Sequence, residues 1–167
     1  MQLDDDVREF FANYCRAFEG FDARALSEFF SYPVLFTRAD PVRPQTMMAS
    51  ASDYISAIAP LFQAYRDLNV ESGKVVDLKT IVLAPSLVVA IVDWDIIASG
   101  GEVLYSHQAS YTLIGIDGWR IAAIALNELP KLHAALHART NAFSPDGANA
   151  DITRTCADVR FWTQRRH

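Results

Sequence analysis

Cysteine is scarce in this chain, and its scarcity removes two architectures at once. The 167 residues hold only Cys15 and Cys156, too few for a disulfide framework or a thiolate metal site. Cys15 lies beside an apolar helical stripe and reads as a small buried side chain. Long apolar runs are missing too: the longest candidate, Ile81–Ile97, is broken by Pro85, Asp93 and Asp95, whereas a membrane span needs about 18–20 apolar residues. No phosphate-binding glycine loop, dinucleotide fingerprint or nucleophile elbow occurs, so we expect no cofactor. His133 and His137 stand four apart, but two such ligands without a third acid read as surface histidines, and we expect no metal. The opening Met1–Asp6 is acidic rather than basic, unlike a secretory signal, and the expected location is cytoplasmic.

A positive charge excess is also absent. The net charge is −5, and from Lys131 onward six basic residues outnumber three acidic ones, which leaves Met1–Pro130 at −8. An acidic body argues against nucleic acid as the partner. The basic stretch is either a solvated, partly disordered tail or one that lies on an acidic protein surface.

What remains is an ordinary soluble composition, 51% hydrophobic and 21% charged, in a chain long enough for one domain with a real core. Four strand-like runs, Asn69–Leu83, Leu87–Ala98, Val103–Ile114 and Trp119–Glu128, follow one another across short turns. Connections this short join only antiparallel neighbours. The first 67 residues read mostly as helix. Asp4–Asp6 cap a first helix whose inward stripe is Val7, Phe10, Phe11, Tyr14, Phe18 and Phe21. Asp22 caps a second helix through Phe30; Val34–Thr37 is expected as a short edge strand after Pro33, and Arg38–Gln45 as a loop. Ser50–Asp53 opens a third helix, bent at Pro60 and facing inward through Tyr54, Ile55, Ile58, Leu61, Phe62 and Tyr65.

Parity on Leu87–Ala98 puts Val88, Ala90, Val92, Trp94 and Ile96 on one face, the better candidate for the concave side. The opposite face carries Leu87, Val89, Ile91, Asp93, Asp95 and Ile97, too apolar for open water, and predicts a homodimer through the outer sheet face. Beyond Pro130, short helices are expected at Lys131–Ala138 and Ile152–Arg166, the latter docking through Trp162, with Thr140–Asp151 as loop. The domain is thus expected over residues 1–130 and an extension over 131–167.

Three features together resemble the nuclear transport factor 2-like superfamily. Phe11–Phe36 reads FANYCRAFEGFDARALSEFFSYPVLF, helix, corner, helix and strand; Tyr111-Thr112-Leu113 precedes Gly118-Trp119-Arg120-Ile121; and the element order matches. The resemblance covers roughly residues 5–130. It implies an α+β fold in which a cone-shaped, curved, mixed or antiparallel sheet wraps around N-terminal helices. It also implies a cavity for a small, largely apolar molecule. The superfamily includes SnoaL-like polyketide cyclases, ketosteroid isomerases and scytalone dehydratase, so the scaffold alone does not name a reaction. An ungapped comparison with ketosteroid isomerases puts Tyr14 at the oxyanion-stabilising tyrosine, but Arg38 at the general base. No acid falls in Tyr105–Ser110, where the second acid belongs. Arginine keeps its proton, so steroid isomerisation is not expected.

Two classes stay open: a cofactor-independent isomerase, cyclase or dehydratase working by proton transfer, and a non-catalytic ligand-binding or dimerisation module. For the first, His107 is the candidate proton shuttle and Tyr14 the carbonyl-polarising donor; for the second, both are packed core residues. Tyr32, Arg38, Tyr54, Trp94, Tyr105, Tyr111 and Asn127 are the candidate ligand contacts, Arg38 for an anionic group at the entrance. Each has a plain alternative in packing, a surface ion pair with Asp40 for Arg38, or a strand-end cap for Asn127, with Glu128 beside it. Asp93 and Asp95 read as a solvated or interfacial pair.

Overall fold

Helix α1 (Gln2–Glu19) begins the chain in a computed structural model that describes residues 2–143. Asp4 and Asp5 occupy its first turn, where negative charge complements the helix dipole. Val7, Phe10, Phe11 and Tyr14 are its buried stripe. The chain turns at Phe21, whose φ is +48°, and Asp22 then caps α2 (Ala23–Ser27) by accepting from the Arg24 and Ala25 amides, both at 3.0 Å. This helix is shorter than its apolar pattern suggests, because Phe30 already begins β1 (Phe30–Arg38).

After β2 (Gln45–Met48) comes α3 (Ala51–Asp67), opened by a reciprocal cap. Ser50 Oγ accepts from the Asp53 amide and Asp53 Oδ2 from the Ala49 amide, both at 3.2 Å. Pro60 sits inside α3, where its missing N–H cannot bond the carbonyl of Ser56 one turn before. Four long strands follow: β3 (Val70–Ala84), β4 (Leu87–Ala98), β5 (Val103–Gly115) and β6 (Trp119–Leu126). Helix α4 (Glu128–Phe143) completes the described chain.

The six strands form one sheet in the order β2-β1-β6-β5-β4-β3. The meander β3-β4-β5-β6 is antiparallel as expected, whereas β1 lies parallel to β6 and antiparallel to β2. Register breaks after Val70, Val75 and Val82 interrupt the β3–β4 ladder, and irregularities of this kind bend a strand. The result is a curved, unclosed α+β layer over the N-terminal helices.

Several expectations need correction. β1 is an interior strand, not an edge. Pro33 is tolerated because the β1–β6 register is broken between Phe30 and Leu35, while the β1–β2 pairing starts at Val34, so the missing N–H removes no ladder bond. The edge on this side of the sheet is β2, whose four residues follow two prolines and give no strand pattern. β6 stops at Leu126, and α4 begins earlier and runs further than Lys131–Ala138. It spans the expected domain limit at residue 130 and puts Leu132 and Leu136 into the core. The expected helix Ile152–Arg166, with Cys156 and Trp162, lies outside the described residues, as does most of the expected Thr140–Asp151 loop.

Parity on β4 holds without exception. Val88, Ala90, Val92, Trp94 and Ile96 are all buried toward the helices. On the opposite face Asp93 accepts from Gln108 Nε2 at 2.7 Å and Asp95 from Ser106 Oγ at 2.5 Å, cross-strand pairs on β5 that keep both carboxylates out of the core.

Candidate functional site

The helices do not fill the concave face of the sheet. An inner chamber is walled by Tyr14 and Phe18 of α1, Tyr54, Ile58, Leu61 and Tyr65 of α3, Gly73, Trp94 and Ile96 of β3 and β4, and His107, Ala109 and Tyr111 of β5. Ile124 and Glu128 close it. An outer chamber adds Arg38, Pro60, Leu129 and Leu132, and shares Phe36, Tyr54, Ile58, Leu61, Leu126 and Glu128 with the inner one. The shared walls make the chambers direct neighbours, each with a volume of about 80 Å³. The lining is chiefly aromatic and aliphatic, with a few polar atoms, the usual constitution of a small-molecule site.

Those polar atoms converge on Glu128. Its carboxylate is buried in the first turn of α4, where a helix favours negative charge. Glu128 Oε1 accepts hydrogen bonds from the hydroxyls of Tyr65 and, at 2.9 Å, Tyr105. Glu128 Oε2 lies 3.9 Å from His107 Nε2, too long for a hydrogen bond but close enough for its field to act on the ring. His107 pairs in register with Trp94 and stacks on its indole, with ring centroids 6.4 Å apart and planes 14° from parallel. Its Nδ1 is buried without a hydrogen-bond partner.

Burial lowers the pKa of His107; the Glu128 charge opposes this and Lys131 reinforces it, and burial prevails. The imidazole is therefore neutral at neutral pH and able to accept a proton. A histidine depressed on folding leaves the unfolded chain the stronger proton binder. Its contribution to stability is fully present above its ordinary value, near 6.5, and is lost as the pH falls through the unfolded and then the folded pKa. We expect His107→Gln to flatten the decline of Tm below pH 6.5 relative to the parent protein, measured by thermal unfolding from pH 8 to pH 4. An unchanged slope would mean that the ring is solvated in the fold.

The tyrosines play a different part. Burial, then the Glu128 and Cys15 charges, push Tyr14 well up. Burial is likewise the first cause of the raised values of Tyr54, Tyr105 and Tyr111. These phenols keep their protons and act as donors rather than bases. The Tyr54 hydroxyl is buried without a hydrogen-bond partner, on walls common to both chambers.

Of the candidates from sequence, His107, Tyr14, Tyr54, Trp94 and Tyr111 line the inner chamber and Arg38 the outer one. Tyr105 meets them through Glu128. Tyr32 is placed elsewhere: its hydroxyl donates to the Ser27 carbonyl at 3.0 Å. Asn127 is exposed, and its Oδ1 accepts from the Gln108 amide at 2.9 Å, a strand-end cap. Asp40, the alternative partner for Arg38, accepts from the amides of Val42 and Arg43 in its own turn, at 2.8 and 3.2 Å, and its charge still raises the Arg38 pKa slightly against burial. His133 is half-buried and His137 exposed on α4; among the described residues no three His, Cys, Asp or Glu side chains cluster as a metal site would require. The strand pattern runs through Glu128, yet the acid and Pro130 within four residues of Asn127 are a helix-start signal that separates Glu128 from the strand.

A family model described as NTF2-like protein (DUF6841) matches residues 4–129. Among solved structures, an NTF2-like protein with a cystatin-like fold from Novosphingobium aromaticivorans is 14% identical, with 98% of this chain and 90% of that chain covered and a TM-score of 0.61. A protein from Catenulispora acidiphila, solved in complex with S-DNPA, is 17% identical over 75% of this chain and 92% of its own, with a TM-score of 0.60. A putative aromatic ring hydroxylase from N. aromaticivorans is 8% identical over 72% and 85%, with a TM-score of 0.54. At these identities the likeness is one of fold. The search of curated proteins finds no match.

Proposed function

We propose, from the premise that this chain belongs to the NTF2-like family (DUF6841), that its cavity binds a small, largely apolar molecule and moves a proton on it without a cofactor. The observation that carries this reading is the buried His107, on the cavity wall with Nδ1 unpartnered and the Glu128 carboxylate behind its other nitrogen. A neutral imidazole so placed takes a proton from carbon next to a carbonyl. The electron pair left behind moves onto the carbonyl oxygen, where the Tyr14 hydroxyl donates to it. Glu128 stabilises the imidazolium, which returns the proton at another atom. Isomerisation, dehydration and aldol-type cyclisation all fit this cycle. Trp94, Tyr54 and Tyr111 supply the aromatic walls and Arg38 the entrance.

The test needs no knowledge of the natural substrate. With 2-indanone as a ring-sized ketone in D2O, NMR should show deuterium entering its acidic positions faster than in buffer. His107→Gln should cut that enhancement by roughly 10²- to 10⁴-fold. Binding of the ketone without exchange would overturn catalysis in favour of a ligand carrier, the rival reading supported by the apolar walls.

The same reading includes a homodimer through the outer sheet face. Ile81 of β3 is exposed and pairs in register with half-buried Val89 of β4, with half-buried Leu87 and Ile91 on the same face, an apolar strip of the kind that marks a contact site. Sedimentation at micromolar concentration should give a dimer, and Ile81→Glu with Val89→Lys should give a monomer; a monomeric parent protein would end this part of the reading.

A further inference from the structure

Arg38 is the one cationic side chain among the residues lining the two chambers. It closes β1 opposite Leu126 of β6, and its Nη2 donates to Thr46 Oγ1 at 2.5 Å, so β2 fixes the direction of the guanidinium fork. Burial depresses its pKa to about 10, which leaves it charged throughout the working range. A second, independent group addresses the same space: the Tyr54 hydroxyl, almost wholly buried, lines both chambers and has no hydrogen-bond partner in the protein. Buried hydroxyls are seldom left so. A cation and a lone donor on adjoining apolar walls make a receptor for an anion, since an oxyanion is acceptor-only and accepts from both.

We propose that the ligand is an apolar monocarboxylate, its carboxylate held in the outer chamber by Arg38 and the Tyr54 hydroxyl, and its ring or chain body in the inner chamber against Trp94 and Tyr111. A planar carboxylate matches the planar guanidinium fork. A single charge is favoured because Glu128 lines both chambers and repels a second negative charge across the same cavity. This assignment deepens the proton-transfer reading and rests on its cavity: the carboxylate end fixes which carbon of the body faces His107.

The experiment compares two probes of the same shape, phenylacetate and neutral phenylacetamide, with toluene as a purely apolar control. Each is titrated into the full-length protein while the Trp94 indole N–H is followed by NMR. The parent protein should bind phenylacetate more tightly than phenylacetamide by roughly 10- to 100-fold, the range that charge-assisted hydrogen bonds supply. Arg38→Met should abolish that preference while toluene still binds, Arg38→Lys should keep part of it, and Tyr54→Phe should reduce it by roughly fivefold. Equal affinity for the two probes in the parent protein would overturn the anion assignment, without any variant having to fold, and would leave the cavity reading standing. If toluene too leaves the Trp94 signal unmoved, the cavity reading itself fails and the assignment falls with it.

Discussion

Replacing Glu128 by Leu should destabilise the protein by about 3–5 kcal/mol, the penalty typical of breaking a buried polar cluster at its shared member. Leu fills the volume, so the loss is polar in origin. The hydroxyls of Tyr65 and Tyr105 both donate to Glu128 Oε1, and the variant leaves both donors without that acceptor at the wall of an apolar cavity. Each stranded group costs about 1–3 kcal/mol. Glu128→Gln keeps an acceptor oxygen at that place and should lose only about 1–2 kcal/mol. Urea unfolding followed by circular dichroism measures both. A Leu variant as stable as the Gln variant would show that the two hydroxyls find water instead, and the cluster would then be wetter than its burial indicates. The same pair separates structure from chemistry. The Gln variant retains the fold but removes the charge behind His107, so the imidazole should accept a proton less readily and the acidic limb of any pH–rate profile should move to lower pH.

Trp94→Ala should lose about 3–5 kcal/mol, the range for deleting a buried tryptophan side chain, and lower Tm by roughly 10 °C for a domain of this size. Trp94 is 5% exposed and touches three parts of the molecule. Its ring centroid lies 6.4 Å from Phe11 and 6.3 Å from Tyr14 on α1, it stacks on His107 from the next strand, and it abuts the backbone at Gly73, where a Cβ would stand 3.6 Å from the indole. Removing it merges a large void with a chamber that is already open. The walls cannot collapse into that void, because α1 and α3 are held elsewhere by Val7, Phe62 and Leu68. Toluene at millimolar concentration should restore part of the lost stability by filling the void. A loss below about 1 kcal/mol would mean that the concave face is not packed against the helices.

The sheet was legible because its signals are local. Strict alternation on Leu87–Ala98 and turns of two to four residues determine pairing without knowledge of distant partners, and Ser50 with Asp53 announces α3 within four residues. β1 and β2 resisted for the opposite reason. What makes β1 interior is its parallel pairing with β6, about ninety residues away, and no local feature of Pro33-Val34-Leu35-Phe36 encodes that neighbour. β2 has four residues and a single fully buried side chain, Met48, too little pattern to stand out beside Pro41 and Pro44.

The site divides in the same way. His107 and Tyr14 could be nominated from strand parity and helix spacing, because each needs only its own element to be placed. Glu128 could not, since its meaning comes from Tyr65 on α3 and Tyr105 on β5 meeting it across the cavity. Reading it as the end of a strand also hid its helix. The buried carboxylate beside the cavity comes from the start of α4, at a place that a comparison of strands could not show.

The parallel seam between β1 and β6 has a temporal consequence. During synthesis the strand pair β1–β2 leaves the ribosome long before its only other neighbour, and it must wait with an open border until Trp119–Leu126 is made. Non-local closure of this kind slows folding and exposes apolar strands to other chains in the interval. The seam is the last strand pairing of the sheet to become available, and the acid follows it immediately. The concave face of a nascent chain therefore stays incomplete until Trp119–Leu126 has been made.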